Sequence, residues 1–152
     1  MLIVLRHGQA EPNCADDAGR SLVAAGIAEV ERSCVFLHEQ GWLPTRVLTS
    51  PYKRAQQTAA IVLRELKIEQ PMDTELLLQP DADPERTAGL LDALAKSPLL
   101  VASHMPLVST LVRNLSGQVL GFATGSLVVL VPNGQQWRVA AQYNPGQHAY
   151  QV

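Results

Sequence analysis

Cysteine is scarce in this chain of 152 residues: Cys14 and Cys34 are the only two, forming neither a CxxC pair nor a framework dense enough to staple a small secreted domain. Both are expected as reduced thiols. No apolar run approaches the ~18 residues of a membrane span. The amino-terminal run Met1 to Leu5 has no basic leader and meets a charge at Arg6, which is too short for a signal peptide. A cytoplasmic location is therefore expected. An excess of one charge sign is missing as well: 12 basic residues against 14 acidic ones give a formal charge of −2. No global positive field draws the chain to nucleic acid or anionic lipid, so neither nucleic acid nor membrane is expected as a partner. Internal repeats and low-complexity tracts are absent, and Gly and Pro at 10 each exclude a collagen-like or linker-dominated chain. What remains is an ordinary globular composition, 47% apolar and 17% charged. At roughly 100 to 200 residues per domain, residues 1–152 form a single domain.

Leu2 to Leu5 is wholly apolar, as a strand buried on both faces of a parallel sheet should be. Ile27, Val30, Cys34 and Leu37 repeat at helical spacing and predict a helix from Val23 to Gln40 that ends at Gly41. Arg46 to Thr49 reads as a second strand. Ser50-Pro51 then reads as a helix start, with a hydroxyl N-cap and proline at the first helical position. Ala55, Ala59, Val62 and Leu66 give that helix its buried face. The segment from Lys67 to Pro84 offers only a short strand around Met72 to Leu77. Pro84 opens a helix carrying Thr87, Leu90, Leu91 and Leu94, Leu99 to Ser103 is a further strand, and Pro106 opens a helix carrying Leu107, Val108, Leu111, Val112 and Leu115. Leu127 to Val131 and Trp137 to Tyr143 read as a hairpin turning at Asn133-Gly134. This alternation predicts an α/β fold: a three-layer sandwich, its sheet mainly parallel, with helices on both faces and an antiparallel C-terminal hairpin edge.

In such sheets ligands bind beyond the carboxyl ends of the strands. The first strand delivers Arg6 and His7 there, the second delivers Ser50 with Lys53 and Arg54, and the late strand delivers Ser103 and His104. Lys53 and Arg54 occupy the first turn of a helix, where the macrodipole disfavours cations and a bound anion would reverse the sign. A helix N-terminus with a planar guanidinium suits phosphate; the alternative is a solvated surface pair. Zinc is the rival reading of His7 and His104. No close third ligand completes a set and Arg6 would repel a cation, so no metal is expected. His38 and His148 are assigned no role.

Three stretches together go further: Arg6-His7-Gly8-Gln9-Ala10-Glu11-Pro12-Asn13, Ser50-Pro51-Tyr52-Lys53-Arg54-Ala55-Gln56-Gln57-Thr58-Ala59, and Ser103-His104. They resemble, in order, the three signatures of the histidine phosphatase superfamily, whose fold is that of phosphoglycerate mutase. Ser103-His104-Met105-Pro106-Leu107 and the short length resemble its SixA-type phosphohistidine phosphatases. The resemblance implies that His7 is a nucleophile that becomes transiently phosphorylated, that Arg6, Arg54 and His104 hold the phosphoryl oxygens, and that no cofactor takes part. It also implies that Gly8, Asn13 and Ser50 line the substrate site. Such chemistry fits phosphoryl transfer, which needs in-line positioning and positive charge around equatorial oxygens.

The sequence departs from the broader family at Ala10, where many members have Thr, and around Glu75-Leu76-Leu77-Leu78-Gln79-Pro80, where Leu77 falls at the usual general acid. Glu75, Asp81 and Asp83 are the fall-back candidates for the general acid, Glu75 first among them, and for each the alternative reading is a solvated loop charge. A weak acid suits phosphohistidine, whose leaving imidazole departs neutral once its other nitrogen is protonated, better than an ester that expels alkoxide. The segment from Lys67 to Pro84 is also too short for a large cap over a small ligand. The function expected is a metal-independent phosphatase acting on phosphohistidine of a protein, such as a histidine phosphotransfer domain. The alternatives are a small-molecule phosphomonoesterase or mutase using the same pocket, and a non-catalytic phosphate- or phosphoprotein-binding module.

Overall fold

A computed structural model describes residues 1–12 and 15–148. Its strands are β1 (Leu2–Arg6), β2 (Arg46–Thr49), β3 (Asp73–Thr74), β4 (Leu99–Ser103), β5 (Leu127–Asn133) and β6 (Gln136–Tyr143). Between them lie α1 (Ala24–Gln40), α2 (Lys53–Glu65), α3 (Pro84–Leu94) and α4 (Leu107–Ser116), with a short α5 (Pro145–His148) after β6. All six strands form one sheet in the order β3-β2-β4-β1-β5-β6. The pairs β2–β3, β2–β4 and β1–β4 are parallel, whereas β1–β5 and β5–β6 are antiparallel, so the hairpin edge expected from the sequence is present.

β1 explains the three layers. Side chains alternate across a strand, and Leu2 and Val4 join Leu91, Val108, Leu111 and Val112 of α3 and α4 on one face. Ile3 and Leu5 join Val30, Cys34, Leu37, Ala59 and Val62 of α1 and α2 on the other. A strand covered on both faces has no polar side, which is why it reads as an unbroken apolar run. Leu111, fully buried, contributes about 1.5–3 kcal/mol by burial, and Leu111→Ala would cost about 2–5 kcal/mol once the cavity is included.

Four local expectations are corrected. Helix α2 starts at Lys53 with Tyr52 as its cap residue, so Ser50 is not the N-cap and Pro51 is not the first helical residue. The Ser50 hydroxyl instead accepts from Tyr52 N–H at 3.2 Å and pairs with His104. The strand expected over Met72 to Leu77 is only Asp73–Thr74, because Leu76–Leu78 turns into a 3-10 helix whose Leu77 N–H is taken by Glu75 Oε2 at 2.9 Å. The hairpin turns at Gly134-Gln135, with Asn133 still paired to Gln136. Gly134 takes the positive φ (67°) that the first central position of such a turn needs. Finally, Ile27 on the predicted face of α1 is 39% exposed. Asn13 and Cys14 lie outside the described residues. Cys34 is a free buried thiol, and burial pushes its pKa up to about 12.

Candidate active site

Strand register brings the site together. Leu5 faces Ala102, which faces Thr49, across three parallel strands. The residues just beyond these ends, His7, His104 and Ser50, therefore meet at one edge. Backbone bonds continue the ladder there: His7 N–H donates to Ser103 O at 3.0 Å and Ser50 N–H to Ala102 O at 3.1 Å. Gly125 N–H donates to His7 O at 2.9 Å, so His7 is pinned from both sides.

His7 is buried, and its Nδ1 lies 2.7 Å from the Gly8 carbonyl. A carbonyl only accepts, so Nδ1 carries the proton and Nε2 keeps its lone pair. Arg54 Nε–H points at that lone pair from 3.3 Å. Burial first, then the charges of Arg54, Arg6 and Arg20, lower the His7 pKa to about 4 against the opposing Gly8 bond. The imidazole is neutral at physiological pH, the state a nitrogen nucleophile requires.

Gly8 serves this geometry by close approach. A Cβ on Gly8 would run into the Gly26 carbonyl, and a Cβ on Gly26 would run into the Gln9 backbone. The loop after β1 and the first turn of α1 thus pack backbone to backbone. Gly8 N–H donates to Thr58 Oγ1 at 3.2 Å, and that hydroxyl donates to the Arg54 carbonyl at 2.8 Å, tying the loop to α2.

His104 stands beside His7, its Nε2 2.8 Å from Ser50 Oγ. A proton on His104 Nδ1 lets Ser50 Oγ–H donate to Nε2, whereas a proton on Nε2 is donated to the second lone pair of Ser50 Oγ. Burial, then the charges of His7, Arg54 and Arg6, lower the His104 pKa to about 2. Tyr52 meets His104 edge-on at 5.0 Å and lies under the Arg54 guanidinium at 5.0 Å. Arg6 donates through Nη1 to Phe122 O at 2.8 Å, and burial lowers its pKa against the opposing charge of Glu29. Arg6 Nε and His104 Nδ1 are buried with no partner among the described residues. Unsatisfied buried donors are costly in a folded chain unless a ligand completes them.

The other predicted residues divide clearly. Lys53 is exposed while Arg54 beside it is buried, so the pair has one inward and one solvated member. Glu75 follows β3 at the same end of the sheet, donating its N–H to Thr49 O at 2.8 Å while its carboxylate caps the 3-10 turn. Asp83 caps α3 through Glu85 N–H at 3.0 Å, and Asp81 is exposed. Asn13 lies outside the described residues. Among those described, no group of three or more His, Cys, Asp or Glu side chains could hold a metal ion, and no helix is long and apolar enough to cross a membrane.

Sequence reasoning missed Asp17 and Arg20. Asp17 accepts from Arg54 through its carbonyl at 2.8 Å and its carboxylate at 3.4 Å, and Arg20 Nε–H donates to the same carboxylate at 2.8 Å. Nothing local flags an aspartate whose partner lies 37 residues away. Thr58 was findable, since a hydroxyl at i+4 from Arg54 faces the same side of α2.

A lone-pair nitrogen set against two guanidiniums, one of them with a buried N–H that no described residue accepts, is equipped to attack an electrophile that carries negative charge. Comparison with known proteins agrees. The family model of the histidine phosphatase superfamily (branch 1) matches residues 2–78. The chain is 35% identical over 119 residues to the phosphohistidine phosphatase SixA of Escherichia coli, covering 75% of this chain and 73% of that protein. It is 30% identical over 134 residues to a SixA homolog of Haemophilus influenzae, covering 77% of each. A solved structure of the protein histidine phosphatase SixA complexed with tungstate superposes with a TM-score of 0.90 at 29% identity, covering 97% of this chain and 98% of that one. The chain thus belongs to the histidine phosphatase superfamily, among its SixA-like members, and is a phosphatase.

Proposed function

We propose that the protein is a cytoplasmic, metal-independent phosphatase that removes phosphate from histidine on a partner protein, such as a histidine phosphotransfer domain, through a phosphohistidine intermediate on His7. The observation that carries this reading is the His7 tautomer: with Nδ1–H held by the Gly8 carbonyl at 2.7 Å, only Nε2 can attack. Its lone pair forms a bond to phosphorus as the substrate N–P bond breaks, and the substrate imidazole leaves neutral with its other nitrogen protonated. The positive charge that then develops on the His7 ring is eased by the Nδ1–H···O=C bond and by the phosphoryl oxygens themselves. Water next attacks phosphorus in line, the His7 N–P bond breaks, and phosphate departs with the water's oxygen while His7 returns to its neutral form.

Arg6, Arg54 and His104 hold the equatorial oxygens, where charge spreads in a loose transition state. Arg6 Nε–H is a desolvated donor with no partner among the described residues, so a phosphoryl group meets it with little reorganisation, and His104 Nδ1 joins it as a donor in the tautomer whose Nε2 accepts from Ser50 Oγ–H. Gly8 and Ser50 belong to the lining of the same site, and Asn13, which the resemblance adds to them, lies outside the described residues. The two guanidiniums supply positive charge of the kind a metal ion supplies elsewhere.

A protein substrate is favoured by the segment between α2 and α3. Ser103 Oγ–H donates to Leu78 O at 2.6 Å and Thr87 Oγ1–H to Leu77 O at 2.6 Å, and Leu78 is fully buried. These bonds hold the segment against the carboxyl end of β4 and the first turn of α3. A histidine presented on a folded partner can approach such a site. Rapid-quench trapping with a phosphohistidine carrier protein in the presence of EDTA tests the reading. Acid-labile phosphate mapped to His7 is expected. Phosphate release without label would overturn the covalent route, and a strong preference for a small phosphate ester would transfer the assignment to a phosphomonoesterase.

A further inference from the structure

The loop between β1 and α1 sets an anion of the protein's own on the guanidinium that the proposed reaction needs. All three nitrogens of Arg54 are engaged: Nε on His7 Nε2 at 3.3 Å, Nη1 on the Asp17 carbonyl at 2.8 Å, and Nη2 on Asp17 Oδ2 at 3.4 Å. The first of these covers the lone pair of the nucleophile. The two ends of the ion pair differ, however, in their freedom. The Arg54 side chain is 5% exposed, whereas that of Asp17 is 50% exposed. A charge-assisted N–H···O bond is ordinarily about 2.7–2.9 Å, so the Asp17 carboxylate holds Arg54 loosely.

The Asp17 carboxylate also has a second anchor. Its Oδ1 accepts from Arg20 Nε–H at 2.8 Å, and Arg20 Nη1 donates to Glu11 O at 2.7 Å within the same loop. Arg20 can keep Asp17 when Arg54 lets it go. The residue sits in a three-residue 3-10 turn, Asp17–Gly19, with no buried side chain. Exposed backbone hydrogen bonds and little packing mark a segment that shifts at low cost.

We propose that Asp17 is an internal competitor for the phosphoryl site: its carboxylate and carbonyl hold Arg54 over His7 Nε2 in the empty enzyme, and phosphoryl oxygens displace them. The nucleophile is then uncapped by the group it attacks. After hydrolysis the returning carboxylate competes against product phosphate and speeds its loss. Displacement also favours ligands of high negative charge, since a monoanion offers Arg54 no gain over the carboxylate it already has. This inference rests on the phosphoryl site of the proposed function and is indifferent to which phosphoryl compound is the substrate.

Calorimetric titration of inorganic phosphate into the full chain tests it with two variants. Asp17→Asn keeps the side-chain shape and removes the competing charge, and it should bind phosphate about two- to fivefold more tightly, the range set by an exposed ion pair. The inhibition constant of phosphate in turnover should fall by the same factor. Asp16→Asn removes an equal charge from the same loop, where the Asp16 carboxylate caps the turn at Gly19 N–H, and should leave phosphate affinity unchanged. Weaker or unaltered binding by Asp17→Asn overturns the proposal, as does an equal shift in both variants. If the wild type turned over no phosphohistidine while Asp17→Asn still tightened phosphate binding, the proposed function would fall and the competition would stand.

Discussion

The imidazole of His104 stands edge-on to that of His7, with ring centroids 5.1 Å apart and planes at 61°. Burial first, and then the positive field of Arg6 and Arg54, disfavours a proton on either ring, and a proton on His7 weighs further against one on His104. The pair is therefore held neutral far below the ordinary histidine range. The His7 ring offers a lone pair at Nε2, and the His104 ring beside it presents a buried Nδ1 with no partner among the described residues.

This neutrality is measurable. In a histidine NMR titration, His7 should keep its neutral shifts at pH 6 and titrate only near pH 4. Stability should follow with a defined sign. The folded pKa of His7 lies below its unfolded value of about 6.5, so the unfolded state binds the proton more readily between those values. Its contribution is fully present above about pH 6.5 and is lost as pH falls through the folded pKa, amounting to about 3 kcal/mol. A His7 resonance titrating near 6.5 would remove the basis for a nucleophile kept neutral by its surroundings.

Gly26 touches no proposed ligand, yet it should matter. Its missing side chain leaves room for the Gln9 backbone, and neither backbone segment can move aside without shifting the His7–Gly8 loop. Overpacking of this kind costs about 1–3 kcal/mol. Gly26→Ala should lower the melting temperature by about 3 to 10 °C for a chain of this size. Turnover should fall with it, because Gly8 O orients the His7 ring. Unchanged thermal unfolding would mean that the close approach is readily relieved.

The reach of the sequence is clearest at the strand ends. Arg6-His7, Ser50 and Ser103-His104 each follow an apolar run, and parallel strands in register bring such ends together whatever lies between them. Ser50-Pro51 was harder to read because a hydroxyl before proline serves equally as a helix cap or as a turn acceptor, and only the nearby His104 decides between them. Leu76-Leu77-Leu78 carries no helical period over three residues, so its 3-10 turn depends on Glu75 and on tertiary bonds from Ser103 and Thr87. Asp17 and Arg20 were invisible for a related reason. Their meaning comes from Arg54, which meets them only in the folded chain.

His7→Ala separates chemistry from binding. The variant removes Nε2 and leaves Arg6 and Arg54 in place, so turnover of phosphohistidine should fall by at least about 10³-fold, as for other removed nucleophiles. Phosphate should still bind. Circular dichroism should show an intact fold, since β1 is anchored by Leu2 to Leu5 in the core rather than by the ring. Near-normal turnover by this variant would sink the nucleophile assignment.

Glu75 poses the sharper question, because its carboxylate has a structural task and it follows β3 at the same end of the sheet as His7 and His104. Oε2 accepts the Leu77 N–H at 2.9 Å, and Glu75→Gln preserves an acceptor there while removing the acid. An alkoxide leaving group deprived of its proton donor loses about 10²–10⁴ in rate. Neutral imidazole needs no such donor once its distal nitrogen carries a proton. Glu75→Gln should therefore keep kcat/KM on a phosphohistidine protein within about threefold of wild type, a change smaller than the lower bound for general-acid loss. A drop of about 100-fold or more on that substrate, with thermal stability unchanged, would make Glu75 the proton donor and reopen the small-ester reading.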